Sequence, residues 1–376
     1  MKRIFAIVAL LLPLMLTAQG QRLWADGPLT WNDFRTVTAD GNSSYLCYRF
    51  GYSQVTGRTA EGNKIDYYRA EAYMVPAESW VDARYRTDLL LRYNQLVFDL
   101  LEVERRQLSR TVITCNTQSS LDAALASANT TMTNTLLSLR VATADGTDSN
   151  AIALWEQSTR RRLDTLPAEV QPAYEQMPIS AAFALGYGAS VPLGGTDDYF
   201  TSGSGMYFTT DVGYKRHILD LNYTLTDAKL CVAIVYTDAQ HTSHIVNQHE
   251  AANLISGTLC YGYRMVERPC CNLTPLVGWS WGTRFVSDGQ QRASLNCNGV
   301  ALGLNYRYHF SRRYRMSGLI ASNGDVPELT LWSVDARMIA TRSVYDNSDA
   351  SSNGWTLLFG IGVSMGGHQA RVAVKQ

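Results

Sequence analysis

The sequence predicts an α+β N-terminal domain followed by an all-β C-terminal antiparallel transmembrane barrel of about eight strands. Three observations lead there. An apolar run at the N-terminus marks the chain for export, and helix-period patterning ends near residue 165. From Ile179 onward strict alternation takes over, with apolar and aromatic residues on one face and Gly, Ala and Ser on the other.

The 376 residues suffice for two domains at roughly 100–200 residues each. Lys+Arg and Asp+Glu both number 33, so the chain carries no charge footprint for a nucleic-acid partner. Charged residues make up only 18%, beside 21 Tyr and 28 Gly, which fits strands that meet lipid on one face and a crowded interior on the other, and equally a glycine- and tyrosine-rich soluble β protein. The seven cysteines (Cys47, Cys115, Cys231, Cys260, Cys270, Cys271, Cys297) are odd in number and lack zinc-ribbon spacing. Neither a disulfide framework nor a structural metal is expected from them.

Lys2 and Arg3 precede the apolar run Ile4–Leu16, and Thr17-Ala18-Gln19 follows. This is the grammar of a signal peptide, placed at 1–20. The run is too short for a transmembrane helix, which needs about 20 apolar residues. Residues 21–165 form the expected α+β domain. Its strands are Tyr45–Tyr52 and Tyr67–Val75. A long helix is expected over Ala83–Thr114, where Leu89, Leu90, Tyr93, Val97, Leu100, Leu101 and Leu108 share one face. Two further helices are expected at Leu121–Val141 and Ala151–Leu163, punctuated by Asp145-Gly146-Thr147-Asp148. Residues 166–178, with two prolines in Leu166–Met177, are expected as a linker.

The barrel is expected over 179–376. Its first strand turns Phe183, Leu185, Tyr187 and Val191 outward and Ala182, Ala184, Gly186 and Gly188 inward. Segments 206–214, 219–225, 255–265, 273–285, 300–310 and 355–365 repeat the alternation, with Trp279, Trp281, Tyr306 and Tyr308 outward as interface anchors. A weaker eighth is expected in Leu329–Thr341, with Met316–Ser322 as a candidate part of it. Eight strands close such a barrel, ten being the alternative count, and closure pairs every backbone N–H and C=O within lipid. Inward Asp211, Asp220, Arg264, Arg284 and Arg307 are expected to pair across the lumen and fill it, because a barrel of eight strands is too narrow for an open channel. Lys215-Arg216, Glu267–Asn272 and Ser311–Arg315 are expected as periplasmic turns, and the longer connections as external loops.

The stretch Leu89–Leu108 (LLLRYNQLVFDLLEVERRQL) resembles the helix of a secreted zincin-like bacterial family, roughly L-L-x-H-E-Q-x-H-F-D-I-x-E-x-x-x-R. Gln95, Phe98, Asp99 and Glu102 match it. Tyr93 and Val97 stand where the family has its zinc-binding histidines, and Asn94 stands where it has its catalytic glutamate. Leu29–Phe34 resembles the family's W-x-D-F segment, and Ser79-Trp80-Val81 its S-W-V. Thr143–Gly146 with Trp155 resembles its T-x-H-G…W, Asp145 replacing the histidine. The resemblance covers Leu29–Leu163 and implies a zinc-peptidase fold. The chemistry is missing, because the H-E-x-x-H motif needs two imidazoles on one helix face and a carboxylate to activate water. Tyr93, Asn94, Val97 and Asp145 are therefore degenerate positions, and neither a cofactor nor an enzymatic activity is expected.

His241, His244 and His249, with Glu250 and Asp238, form a weak metal candidate in one external loop. No nucleophile elbow or phosphate-binding glycine loop is present. The expectation is a non-enzymatic barrel in the Gram-negative outer membrane anchoring a catalytically dead periplasmic domain with an interaction or structural role. Its expected partners are outer-membrane lipid, the barrel-assembly machinery and a periplasmic protein. The alternative is a small-solute channel or ligand-uptake barrel.

Overall fold

The computed structural model describes residues 20–38, 43–59, 62–237, 243–287, 292–322, 324–345 and 353–374. The expected signal peptide, apart from Gly20, lies outside the described residues. The chain divides into two compact units, one built mainly from residues up to Ala173 and one from Tyr174 to Arg371.

In the first unit, β1 (Arg35–Val37), β2 (Ser44–Tyr45), β3 (Tyr48–Arg58), β4 (Lys64–Met74) and β5 (Trp80–Asp82) precede three helices. β1 pairs in parallel with β5, and β2 pairs antiparallel on its other side. β3 and β4 are neighbours in a hairpin. The helices are α1 (Asp88–Val112), α2 (Gln118–Ala142) and α3 (Ser149–Thr165). α1 starts five residues later than its periodicity suggests. Ala83–Tyr85 form a 3-10 turn instead, and the Thr87 hydroxyl accepts the Leu90 N–H at 3.2 Å, fixing the helix N-terminus at Asp88. Thr117 and Asp148 cap α2 and α3 in the same way. The core joins Leu96, Phe98 and Leu101 of α1 to Met132 and Leu139 of α2 and Ile152 of α3.

Eight long strands make the second unit: β6 (Pro172–Leu193), β7 (Gly203–Tyr214), β8 (His217–Thr226), β11 (Ala251–Tyr263), β13 (Cys271–Ser287), β14 (Arg292–Arg315), β15 (Glu328–Tyr345) and β16 (Gly354–Val374). Short β9 (Ile234–Thr237) and β10 (Ser243–Val246) pair with each other inside the β8–β11 connection, and β12 (Val266–Glu267) pairs with β13. Each long strand pairs with the next, and β6 meets β16, so the sheet closes into an eight-stranded barrel. Alternation is strict along β8, whose residues are exposed and buried by turns. Several boundaries differ from the sequence expectation, with β14 and β16 both longer than the expected 300–310 and 355–365. β6 begins at Pro172, so strand structure already occupies most of the stretch expected as linker; Pro172 is tolerated because it opens the strand and owes no ladder hydrogen bond. Ser311–Arg315 complete β14, pairing with Glu328–Trp332, and the turn falls at 316–327. Met316–Ser322 belong to that turn, where the Glu328 carboxylate accepts the N–H groups of Leu319, Ile320 and Ala321.

Candidate functional site

The barrel lumen concentrates the chain's buried charge. The β7–β8 register sets Asp211 opposite Asp220, two carboxylates on one inward face. Such a pair repels unless cations separate it. The far wall supplies them. Arg307 of β14 reaches Asp211 at 2.6 Å and its strand neighbour Asp335 at 2.8 Å, while Arg337 of β15 grips both oxygens of Asp220 at 2.9 and 2.7 Å. These five residues are at most 4% exposed. The two bridges tie β7 to β14 and β8 to β15 across the barrel.

Tyr207 completes this layer, donating its hydroxyl to the Asp335 carboxylate at 3.2 Å. Its ring occupies the space above Gly186 and Gly360; a Cβ at either position would come within 2.4 Å of ring carbons. The small residues of the inner face thus make room for one large aromatic. Cavities of about 20 Å³ lie in the lumen beside Arg264 and Arg307 and beside Asn222 and Ile339. Each has room for about one water molecule.

Arg264 borders this layer beside Arg307, and Arg284 lies apart from it. Arg264 donates to Ser180 Oγ at 2.8 Å and to the Lys215 carbonyl at 3.2 Å, near the short turns. Arg284 does not join the ion-pair layer. Its guanidinium stacks 4.0 Å over the Phe200 ring and donates to the Ala252 carbonyl and the Tyr345 hydroxyl. Around it Phe200, Leu230, Val246, Val286 and Leu295 form an apolar cluster at the loop end of the barrel. The strand alternation placed Arg284 inward, but folded loop residues took it as a cation–π partner.

The sequence reading missed Asp335, Arg337 and Tyr207. Asp335 and Arg337 share the inward set of β15 with Ser333 and Thr341, a spacing that alone could have revealed them. Small outward Ala336 and Ala340 blurred the alternation.

Of the positions aligned with the zincin-like motif, Tyr93, Asn94 and Val97 sit on α1 and Asp145 in the turn after α2. Asn94 is 2% exposed; its amide donates to the Leu90 carbonyl and pairs with Ser44 Oγ. Val97 is in the apolar core, and the half-buried Tyr93 packs against it. The Tyr93 ring lies against Gly146, where an added Cβ would fall 2.9 Å from Cγ. Asp145, with φ of 54°, is exposed and pairs with Arg140 at 2.8 Å. The residues that match the family are also engaged. Gln95 accepts the Leu29 N–H and donates to Asp99, Asp99 also accepts the Trp24 indole N–H, and Glu102 binds Arg105 and Arg106.

Burial pushes the Asp99 carboxyl above its ordinary value, against the lowering by its Trp24 and Gln95 hydrogen bonds. A carboxyl with a raised folded pKa adds stability below its unfolded pKa and loses it as pH rises through the folded pKa. Asp99→Asn keeps an oxygen for both donors. It is expected to raise the urea midpoint of the helical circular dichroism signal at neutral pH and leave it unchanged near pH 3. Glu104, also raised by burial, leaves a residual slope in both proteins.

In the histidine loop, His241 lies outside the described residues, as does Asp238. His244 lies in β10 opposite Tyr236, and His249 is exposed at a left-handed φ of 71° with its N–H bonded to the Leu230 carbonyl. No cluster of metal-binding side chains occurs among the described residues.

No protein-family model matches the chain, and no curated protein matches it in sequence. Among solved structures it is similar to the N-terminal β-barrel domain of Pseudomonas aeruginosa OprF, at 11% identity over 51% of this chain and 99% of that one, with a TM-score of 0.28. It is similar to Neisserial surface protein A at 10% identity (51% and 97% covered, TM-score 0.29). The P. aeruginosa outer membrane protein OprG is similar at 12% (52% and 97% covered, TM-score 0.29). The barrel assignment rests on this chain's own strand pairings.

Proposed function

We propose that the chain is a non-enzymatic outer-membrane protein whose filled barrel anchors a catalytically dead zincin-like domain on the periplasmic side, where that domain serves interaction or structure. One observation carries the membrane reading: apolar side chains project from every barrel strand into the surroundings. Leu221, Tyr261, Trp279, Leu302 and Met338 are 40–52% exposed and Ile361 is 68% exposed. A soluble protein rarely exposes an apolar patch beyond a few hundred Å². Around a closed barrel with all strands paired, the same surface is the one lipid demands.

Connection lengths support the orientation. β7 and β8 are joined by Lys215 and Arg216 alone, and Ile179 of β6 pairs with Tyr214 beside that turn. The chain therefore enters the barrel at the end that carries the two-residue β7–β8 turn, opposite the long β8–β11 connection over 227–250; in such barrels the longest loops are extracellular, which puts the entry on the periplasmic side. The dead-enzyme reading is supported by what the degenerate positions do now: Val97 packs in the core and Asn94 bonds to its own helix. The Tyr93–Gly146 contact keeps the two parts of the old motif together, as the resemblance requires.

Planar-bilayer recording separates this reading from a channel. Inserted protein is expected to give no stepped conductance, since the buried ion pairs and the Tyr207 ring lie across the lumen; regular steps would establish the channel instead.

A further inference from the structure

The cavity at the short-turn end of the lumen, about 20 Å³, is lined by Ser180, Arg264, Arg307, His309, Ser364 and His368 among others. No carboxylate is among its described lining residues. Arg264 is 4% and Ser364 1% exposed, yet Nε of Arg264 and the Ser364 hydroxyl have no hydrogen-bond partner. An orphaned donor on a buried cation is costly, so something is expected to accept from it. Arg307, on the same wall, is already engaged by Asp211 and Asp335, and Glu267 stands 3.6 Å from the outer side of Arg264. Arg312 and Glu328 border the region from β14 and β15; the Glu328 carboxylate is taken up by three N–H groups and Thr330.

The occupant must accept hydrogen bonds in a setting of two arginines and two histidines, and it must be nearly as small as water. A water molecule could accept from both donors, but it would leave the Arg264 charge without an anion in the cavity, since no carboxylate lines it and Glu267 stands 3.6 Å off at the other side of the guanidinium. A monatomic anion needs donors only. Phosphate and sulfate are too large for the space. We propose that this cavity is a buried halide site, occupied by chloride and held by Arg264 Nε and Ser364 Oγ.

Bromide scatters anomalously and fits where chloride does. Crystals of the full-length protein soaked in sodium bromide are expected to show one anomalous peak inside the cavity, within hydrogen-bond reach of both donors. The thermal midpoint in detergent is expected to stand about 3 °C higher in chloride or bromide than in gluconate at equal ionic strength, saturably. Ser364→Val, which puts methyl groups into the space, is expected to abolish that difference. Ordered water in place of the peak, or equal midpoints of the wild type in chloride and gluconate, would overturn the proposal. Should the variant fail to fold, the bromide map of the wild type decides alone.

Discussion

Arg337→Ala is expected to destabilise the barrel by about 3–5 kcal/mol, the cost of breaking one side of a buried ion pair. Asp220, 1% exposed, would be left with no partner for either oxygen and with Asp211 facing it across the β7–β8 register. Most of the loss comes from that abandoned charge and not from the attraction itself. The double variant Arg337→Met with Asp220→Leu is therefore expected to recover most of the stability, because it removes both charges and keeps apolar bulk in the layer. The urea midpoint of refolding, followed by gel mobility, measures both. A small effect of Arg337→Ala alone would mean that water reaches the lumen and that the layer is not closed.

Leu221→Arg is expected to cost about 2–4 kcal/mol in a bilayer, the penalty of a cation near the midplane of a barrel's lipid face. Leu221 lies mid-way along β8, between Thr210 of β7 and Leu259 of β11. If this face met water, the same substitution would stay within about 0.5 kcal/mol, as surface changes usually do. Val141→Arg on α2 provides the contrast. Val141 is 85% exposed in the helical unit, and its replacement is expected to be neutral within about 0.5 kcal/mol. Comparing the two variants by urea titration in lipid vesicles reads the solvent around the barrel directly.

Strand alternation was the most legible part of the sequence, because each side chain of a barrel strand has only two directions. Segment 219–225 became β8 and 273–285 became β13 with the same outward residues, including Trp279 and Trp281. Strand ends were less legible. Ser311–Arg315 are polar and basic, yet they pair in β14, since backbone pairing does not require apolar side chains where a strand runs past the apolar band. The lumen was legible in composition and not in pairing. Asp211 and Arg307 face inward by alternation, but that they meet, and that Arg284 leaves the network for Phe200, follows from barrel closure and from loop folding. Tyr207 was hidden because inward bulk contradicts a small-residue face, until Gly186 and Gly360 are seen to yield the space. On α1 the helix period alone places Tyr93 and Val97 on the apolar face, and both pack there.

The central claim is that the eight-stranded unit folds in a membrane with its apolar band toward lipid. Membrane fractionation combined with gel mobility before and after boiling tests it most directly. The full chain is expected in the outer-membrane fraction, with a faster-migrating unboiled form that shifts on heating as the closed barrel unfolds. A chain recovered in the soluble periplasmic fraction, with the same mobility before and after boiling, would contradict the account.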